Sequence, residues 1–174
     1  MKWAFWILGI LAGLIALVYA IGASLPEKHS VVRVARYRQK PDALWQVITD
    51  YDKFPSWRSN LKSTGVLASQ NSFSAWQEVD SHGNVIPFQV LESDAPRHLV
   101  TSIADPKLPF GGKWTTDILP IPPDGCIVQI QEDGEIHNRF FRFMARFVFG
   151  YTATMDTYLK DLGKKFGETT VIER

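Results

Sequence analysis

The residues able to move a proton or hold a metal are few and scattered. The four histidines, His29, His82, His98 and His137, show no metal-ligand spacing, so no metal site is expected. His82 belongs to a His-Gly-Asn turn. His137 stands just before a change of hydrophobic period and is the one histidine to test as an acid or base. Glu78, Asp117 and Glu132 fall in alternating, strand-like runs. The ordinary place for such carboxylates is a solvated strand face. Turned into an apolar cavity, a carboxylate has its pKa raised and can serve as general acid or base, which makes Glu78 and Glu132 candidates. Cys126 is the only cysteine, so no internal disulfide can form; its apolar surroundings are those of a small buried residue rather than a nucleophile. Nucleophile-elbow, zincin, dinucleotide and phosphate-loop motifs are absent, and no cofactor is expected.

Large apolar side chains are the more informative set. Trp57, Trp76, Phe88, Trp114, Phe141, Met144 and Phe147 are candidates to line a ligand cavity, although each taken singly is also an ordinary core residue. Strand alternation puts Trp76 on one face with Glu78, and Trp114 on one face with Thr116 and Ile118. The segment 106–112 is a candidate gate: Gly111 and Gly112 permit hinge motion, and Leu108 and Phe110 can plug an opening. An ordinary strand connection reads the same way. Charge excludes one class of function: 19 Lys and Arg against 18 Asp and Glu leave no basic stripe for nucleic acid.

The elements that must position these residues follow from period. A first strand is expected from Ser30, where Val32 and Val34 alternate with Arg33 and Ala35. Pro41-Asp42 opens a short helix whose apolar face is Leu44, Trp45, Val47 and Ile48. A loop or single helical turn over 50–60 carries Phe54 and Trp57. Six strands are then expected at about 61–68, 72–80, 85–92, 98–104, 113–119 and 126–136, joined by short turns as an antiparallel meander. From Phe141 the period becomes helical: Phe141, Met144, Val148, Tyr151, Met155, Tyr158, Leu162 and Phe166 form one apolar stripe, predicting a single long helix. That helix must cover one face of a curved antiparallel sheet. It cannot fill the whole face, so a cavity is expected between them.

Residues 1–26 stand apart. From Trp3 to Leu25 there is no charge, a length sufficient to span a bilayer as a helix, with Trp3, Trp6 and Tyr19 near its ends. A cleaved signal peptide is the other reading, since Ala20-Ile21-Gly22 offers small residues for cleavage. The apolar stretch exceeds the roughly 7–15 residues of a signal core, and an uncleaved single-pass anchor is the expectation. Orientation is pulled both ways. Lys2 favours an inside N-terminus, whereas Lys28, Arg33, Arg36, Arg38 and Lys40 favour keeping the other end inside. The division expected is therefore an anchor over 1–26 and a ligand-binding domain over 27–174.

The order of elements, with several local motifs, resembles the helix-grip fold of the START/Bet v 1-like (SRPBCC) superfamily, and within it the bacterial polyketide cyclase/dehydrase-like branch. The motifs are Pro41-Asp42-Ala43-Leu44-Trp45, Asp50 with Pro55-Ser56-Trp57-Arg58, and Trp76-x-Glu78. Further along come Ala95-Pro96-Arg97, Asp105, Leu108-Pro109-Phe110-Gly111-Gly112, Trp114 and Glu132-x-Gly134-x-Ile136. They cover roughly residues 30–166 and mark a fold rather than a reaction. One departure is Arg139, where the resemblance implies a proline after Asn138. The resemblance implies an α+β helix-grip fold with a curved antiparallel sheet of about seven strands wrapped on a long C-terminal helix. It also implies a partner that is a hydrophobic or lipid-like small molecule, and its bacterial branch, joined to the anchor over 1–26, makes a single-pass bacterial inner-membrane protein the expectation, with the side of the soluble domain left open. The alternatives are a polyketide cyclase/dehydrase-like enzyme using a cavity carboxylate, and a non-catalytic accessory protein acting through its surface. Arg139, Arg142 and Arg146 form a basic edge, which reads first as an ordinary solvated helix face and, beside a membrane anchor, is also suited to anionic headgroups.

Overall fold

The computed structural model describes residues 2–68 and 73–173. An apolar helix, α1 (Lys2–Ser24), leads into β1 (Lys28–Tyr37), α2 (Pro41–Thr49) and a 3-10 turn over Tyr51–Ser56. Six strands follow: β2 (Leu61–Leu67), β3 (Ala75–Asp80), β4 (Val85–Asp94), β5 (His98–Ile103), β6 (Phe110–Ile121) and β7 (Gly125–Ile136). The chain ends with α3 (Arg139–Met144), a π-helical turn (Ala145–Phe149), α4 (Ala153–Lys165) and a short β8 (Ile172–Glu173). The strand expected from Ser72 starts outside the described residues; its described part begins at Ala75.

All eight strands lie in one antiparallel sheet, ordered β2-β3-β4-β5-β6-β7-β1-β8. Register shifts at Leu61/Ser63 and Val90/Glu92 add the bulges that bend such a sheet. α4 lies across the concave face. Its Met155, Leu159 and Leu162 are fully buried against Ala35, Ile118, Val128 and Ile130 from the strands and Leu44 from α2. Tyr37 donates its hydroxyl to the Leu159 carbonyl at 2.8 Å, and Arg33 Nε reaches Asp156 at 2.8 Å, fixing where the helix crosses β1. Pro41 at the first turn of α2 needs no amide partner there, so the helix starts without a side-chain cap.

Two expectations are corrected here. The long C-terminal helix is interrupted: α3 runs on into the π turn, and Gly150, which takes φ +76, a conformation that glycine alone adopts freely, separates that stretch from α4. The three-and-four spacing runs through the break, so period alone does not reveal it. The second correction concerns the gate. Phe110, Gly111 and Gly112 belong to β6, opposite Ile136, Glu135 and Gly134 of β7, and only Leu108 lies in the preceding turn. The paired glycines mimic a loop in sequence, yet at Gly112 β7 approaches too closely for a side chain, since a Cβ there would meet the Asp133 carbonyl at 2.4 Å; Gly111 has open space.

Within α1, the 22-residue span Trp3–Ser24 is free of charge, with mean hydropathy 2.5 and an exposed surface. By length and composition it is a helix of the kind that crosses a membrane or serves as a signal sequence. Its C-terminal end packs on α3. Gly22 meets Arg139 so closely that a Cβ would lie 2.0 Å from the Arg139 carbonyl oxygen, and Tyr19 tilts against Phe140 with centroids 6.3 Å apart. Arg142 ties the junction together. It is buried and donates to the carbonyls of Ile136 (2.8 Å), His137 (3.0 Å) and Leu25 (3.2 Å) and to the Glu27 carboxylate. It therefore leaves the basic edge that the sequence suggests, and Arg139 and Arg146 remain exposed.

Candidate functional site

A cavity of about 460 Å³ lies between the concave sheet face, the 3-10 turn and the chain around Gly150. Strand parity explains its walls. β3 presents Trp76 and Glu78, β4 Ile86 and Phe88, β5 Leu99 and Thr101, β6 Trp114 and Thr116, and β7 Glu132. Register places these side by side: Trp76 is opposite Phe88, Glu78 opposite Ile86, Thr101 opposite Trp114, and Trp114 opposite Glu132. Tyr51, Trp76 and Phe88 stack in one column, with centroids 3.9 and 5.4 Å apart and nearly parallel planes.

Glu78, Asp80, Glu132 and Glu135 line this cavity, and two of them, Glu78 and Glu132, are each held by an indole and a basic side chain. Glu78 is buried; its Oε1 accepts from Arg58 Nη1 at 2.5 Å and from Trp76 Nε1 at 3.0 Å. The Arg58 guanidinium in turn lies 5.1 Å from the Phe54 ring centre and 5.2 Å from that of Tyr158. Glu132 Oε2 accepts from Trp114 Nε1 at 2.6 Å, and its Oε1 is 2.9 Å from His29 Nε2. Tyr151, brought in by the break at Gly150, stacks on the His29 ring at 4.3 Å. The imidazole has room because Gly134 faces it: a Cβ there would lie 2.3 Å from His29 Cε1. Burial pushes the Tyr51 phenol up to about 12 and raises that of Tyr158 further, so both ring hydroxyls stay neutral against the cavity.

Of the residues expected from sequence, Trp76, Phe88, Trp114, Thr116, Glu78, Glu132, Phe110, Gly111 and Gly112 line the cavity. The rest lie elsewhere. Trp57 is buried behind the wall, edge-on to Phe54 and Tyr158. Phe141 and Phe147 are exposed, and Met144 is half-buried, on the α3 and π-turn segment that the break turns outward. Leu108 stays outside the lining. His137 is exposed, engaged through its backbone, with its amide donating to Pro109 and its carbonyl accepting from Arg142. Asp117 sits on the outer face, paired with His98 at 2.7 Å. Among the described residues, no three His, Cys, Asp or Glu side chains form a metal-binding group.

His29, Tyr51, Arg58, Tyr151 and Tyr158 are cavity residues that the sequence reading does not assign. His29 carried a signal: it has the parity of Ala35 and Tyr37, both buried. Glu132 continues the face of Cys126, Val128 and Ile130, which favours the inward placement over the solvated one. Arg58 and Tyr151 carried only a partial one, a motif and a place in the helical stripe, because the entry of one depends on a turn and of the other on the helix break.

No family model and no curated protein matches the chain. Solved structures do. A START superfamily protein from Mycobacterium smegmatis superposes with TM-score 0.62 at 17% identity, covering 79% of this chain and 96% of that one. Norcoclaurine synthase from Thalictrum flavum, in complex with dopamine and hydroxybenzaldehyde, gives 0.61 at 10% identity, covering 80% and 86%. An uncharacterised protein from Bacillus thuringiensis gives 0.62 at 13%, covering 79% and 98%. The chain therefore has the α+β helix-grip fold of START and Bet v 1-like (SRPBCC) proteins.

Proposed function

We propose that the chain is a membrane-tethered binding or transfer module for a small amphipathic molecule, with residues 1–26 as a single-pass anchor and 27–174 as the ligand-binding domain. The observation that carries this is the cavity itself: an aromatic wall with two carboxylates held in fixed positions. The stacked Tyr51, Trp76 and Phe88 suit a flat or acyl apolar body, while Glu78 and Glu132 suit hydrogen-bond donors at its polar end. The packing of Gly22 on Arg139, and the bond from Arg142 to the Leu25 carbonyl, favour a helix that stays attached over one removed by cleavage. The test is organic extraction of the full-length chain, purified in mild detergent, followed by mass spectrometry. A co-purifying amphiphile that is lost on Phe88→Asp, with circular dichroism unchanged, is the expected result. No amphiphile after incubation with a lipid extract overturns the reading.

One observation favours a second reading, acid–base catalysis in the same cavity. Glu132 and His29 form a carboxylate–imidazole pair at hydrogen-bond distance on the cavity wall, the arrangement used to orient a proton-transferring imidazole. Norcoclaurine synthase is an enzyme on this fold. Under this reading, His29→Gln abolishes turnover of the bound molecule while leaving its binding intact. Under the carrier reading, the wild-type chain returns its ligand chemically unchanged.

A further inference from the structure

We infer that the segment of α3 and the π turn is seated in the membrane leaflet beside α1, so that the mouth of the cavity opens at the bilayer surface. This rests on reading α1 as a membrane span, and goes beyond it by assigning a second lipid contact and a route for the ligand. The geometry starts from Phe140, which shares a groove with Leu14, Ile15, Val18 and Tyr19. Those positions lie five to ten residues before Ser24, or about 8–15 Å along the helix from its end. If α1 fills a hydrocarbon core of about 30 Å, side chains packed there lie at leaflet depth. The same segment then continues with Phe147, Val148 and Phe149, which are 59%, 58% and 63% exposed. A contiguous apolar patch of this kind next to a spanning helix is covered by lipid rather than water.

Charge agrees. No acidic residue occurs between Glu135 and Asp156, and Arg139 and Arg146 are exposed on the segment, placed to meet headgroup phosphates. The link to the cavity is direct, because Ala145, Phe149 and Gly150 are part of its lining. The residues that enter the leaflet are thus the ones that border the opening. An amphiphile dissolved in the membrane reaches Trp114 and Glu132 without crossing bulk water.

The experiment uses the full-length chain in vesicles of phosphatidylcholine and phosphatidylglycerol, with an environment-sensitive fluorophore on single cysteines. The native Cys126 is buried, its thiol pushed up to about 11 by burial, so it stays unlabelled at neutral pH. Labels at Val148→Cys and Thr154→Cys report the seat and the mouth. Leu11→Cys reports the span, and Val66→Cys, on exposed β2, reports water. We expect blue-shifted emission and quenching by acyl-chain spin-labelled lipid at Val148 and Leu11. Thr154 is expected to be quenched by headgroup-labelled lipid, and Val66 by neither. Quenching at Leu11 with Val148 in water overturns the inference and keeps the span. Quenching at Val148 with Thr154 in water overturns the placement of the mouth. A water-exposed Leu11 overturns the span and the inference together.

Discussion

The Trp114 indole donates to Glu132 Oε2 at 2.6 Å from the position directly opposite it on the neighbouring strand. Trp76 does the same for Glu78 from two residues away on one strand, at 3.0 Å. In both cases the ring supplies apolar cavity wall and its N–H neutralises part of the cost of placing a carboxylate there. The wall and its polar points are therefore one construction, and altering the tryptophans tests both at once.

Trp114→Phe keeps most of the wall and removes the donor. A hydrogen bond to a charged group is worth about 1.5–3 kcal/mol, and we expect a loss of that order in urea unfolding of the full chain in detergent. Trp114→Phe combined with Glu132→Leu is expected to recover part of the loss. A double variant no more stable than the single one contradicts the pairing.

The pair of Arg58 and Glu78 is buried on both sides, with side chains 7% exposed each. Removing one member leaves an uncompensated charge. Arg58→Met is expected to destabilise by about 3–5 kcal/mol, whereas Arg58→Met with Glu78→Leu is expected to lose much less. Chemical denaturation of the two variants decides it; equal losses would mean that the charges do not depend on each other.

How far the sequence reveals this arrangement depends on the range of the signal. Alternation in β3 and β6 already joins Trp76 to Glu78 and Trp114 to Thr116, because parity is a local property. The order of strands and the covering helix follow from composition and period. Phe141 and Met144 are misplaced for a definite reason: their spacing continues the stripe of Met155 and Tyr158, while the positive φ of Gly150 redirects the chain, and Phe147 lies on the same redirected segment. A glycine that breaks a helix and one that a helix tolerates look alike in sequence. The contact of His29 with Glu132 joins residues 103 apart, and no local pattern reports it. The eighth strand, two residues long, is too short for alternation to register.

His98 offers a pH test away from the cavity. Its pKa is raised above the ordinary 6.5, first by the hydrogen bond to Asp117, which outweighs the opposing effect of burial, and then by the charges of Asp117 and Glu92. The folded state therefore favours the protonated ring. Its contribution is fully present below 6.5 and disappears as pH rises through the raised folded value. Asp117→Asn is expected to bring the His98 titration, followed by NMR, back toward 6.5 and to flatten the fall in stability across that window. An unmoved titration would show that Asp117 does not set it.

The junction of α1 with α3 can be tested by the sign of three glycine substitutions. All three glycines lie inside one helix, where alanine is favoured over glycine by about 1 kcal/mol. At Gly9 and Gly13 an added Cβ would have no neighbouring atom within 4 Å, so Gly9→Ala and Gly13→Ala should be neutral or stabilising in thermal unfolding of the detergent-solubilised chain. At Gly22 the added carbon meets a backbone oxygen at 2.0 Å, which no rotamer can relieve. The helix must then move off α3, loosening the bond from Arg142 to the Leu25 carbonyl and its contact with Glu27. Gly22→Ala is expected to destabilise by about 1–3 kcal/mol, the usual cost of overpacking. Arg142→Lys, which cannot reproduce a four-acceptor fork, is expected to shift stability in the same direction and to add little in the double variant, because both changes open one junction. Full additivity would place Gly22 and Arg142 in separate contacts and leave α1 unattached to the fold.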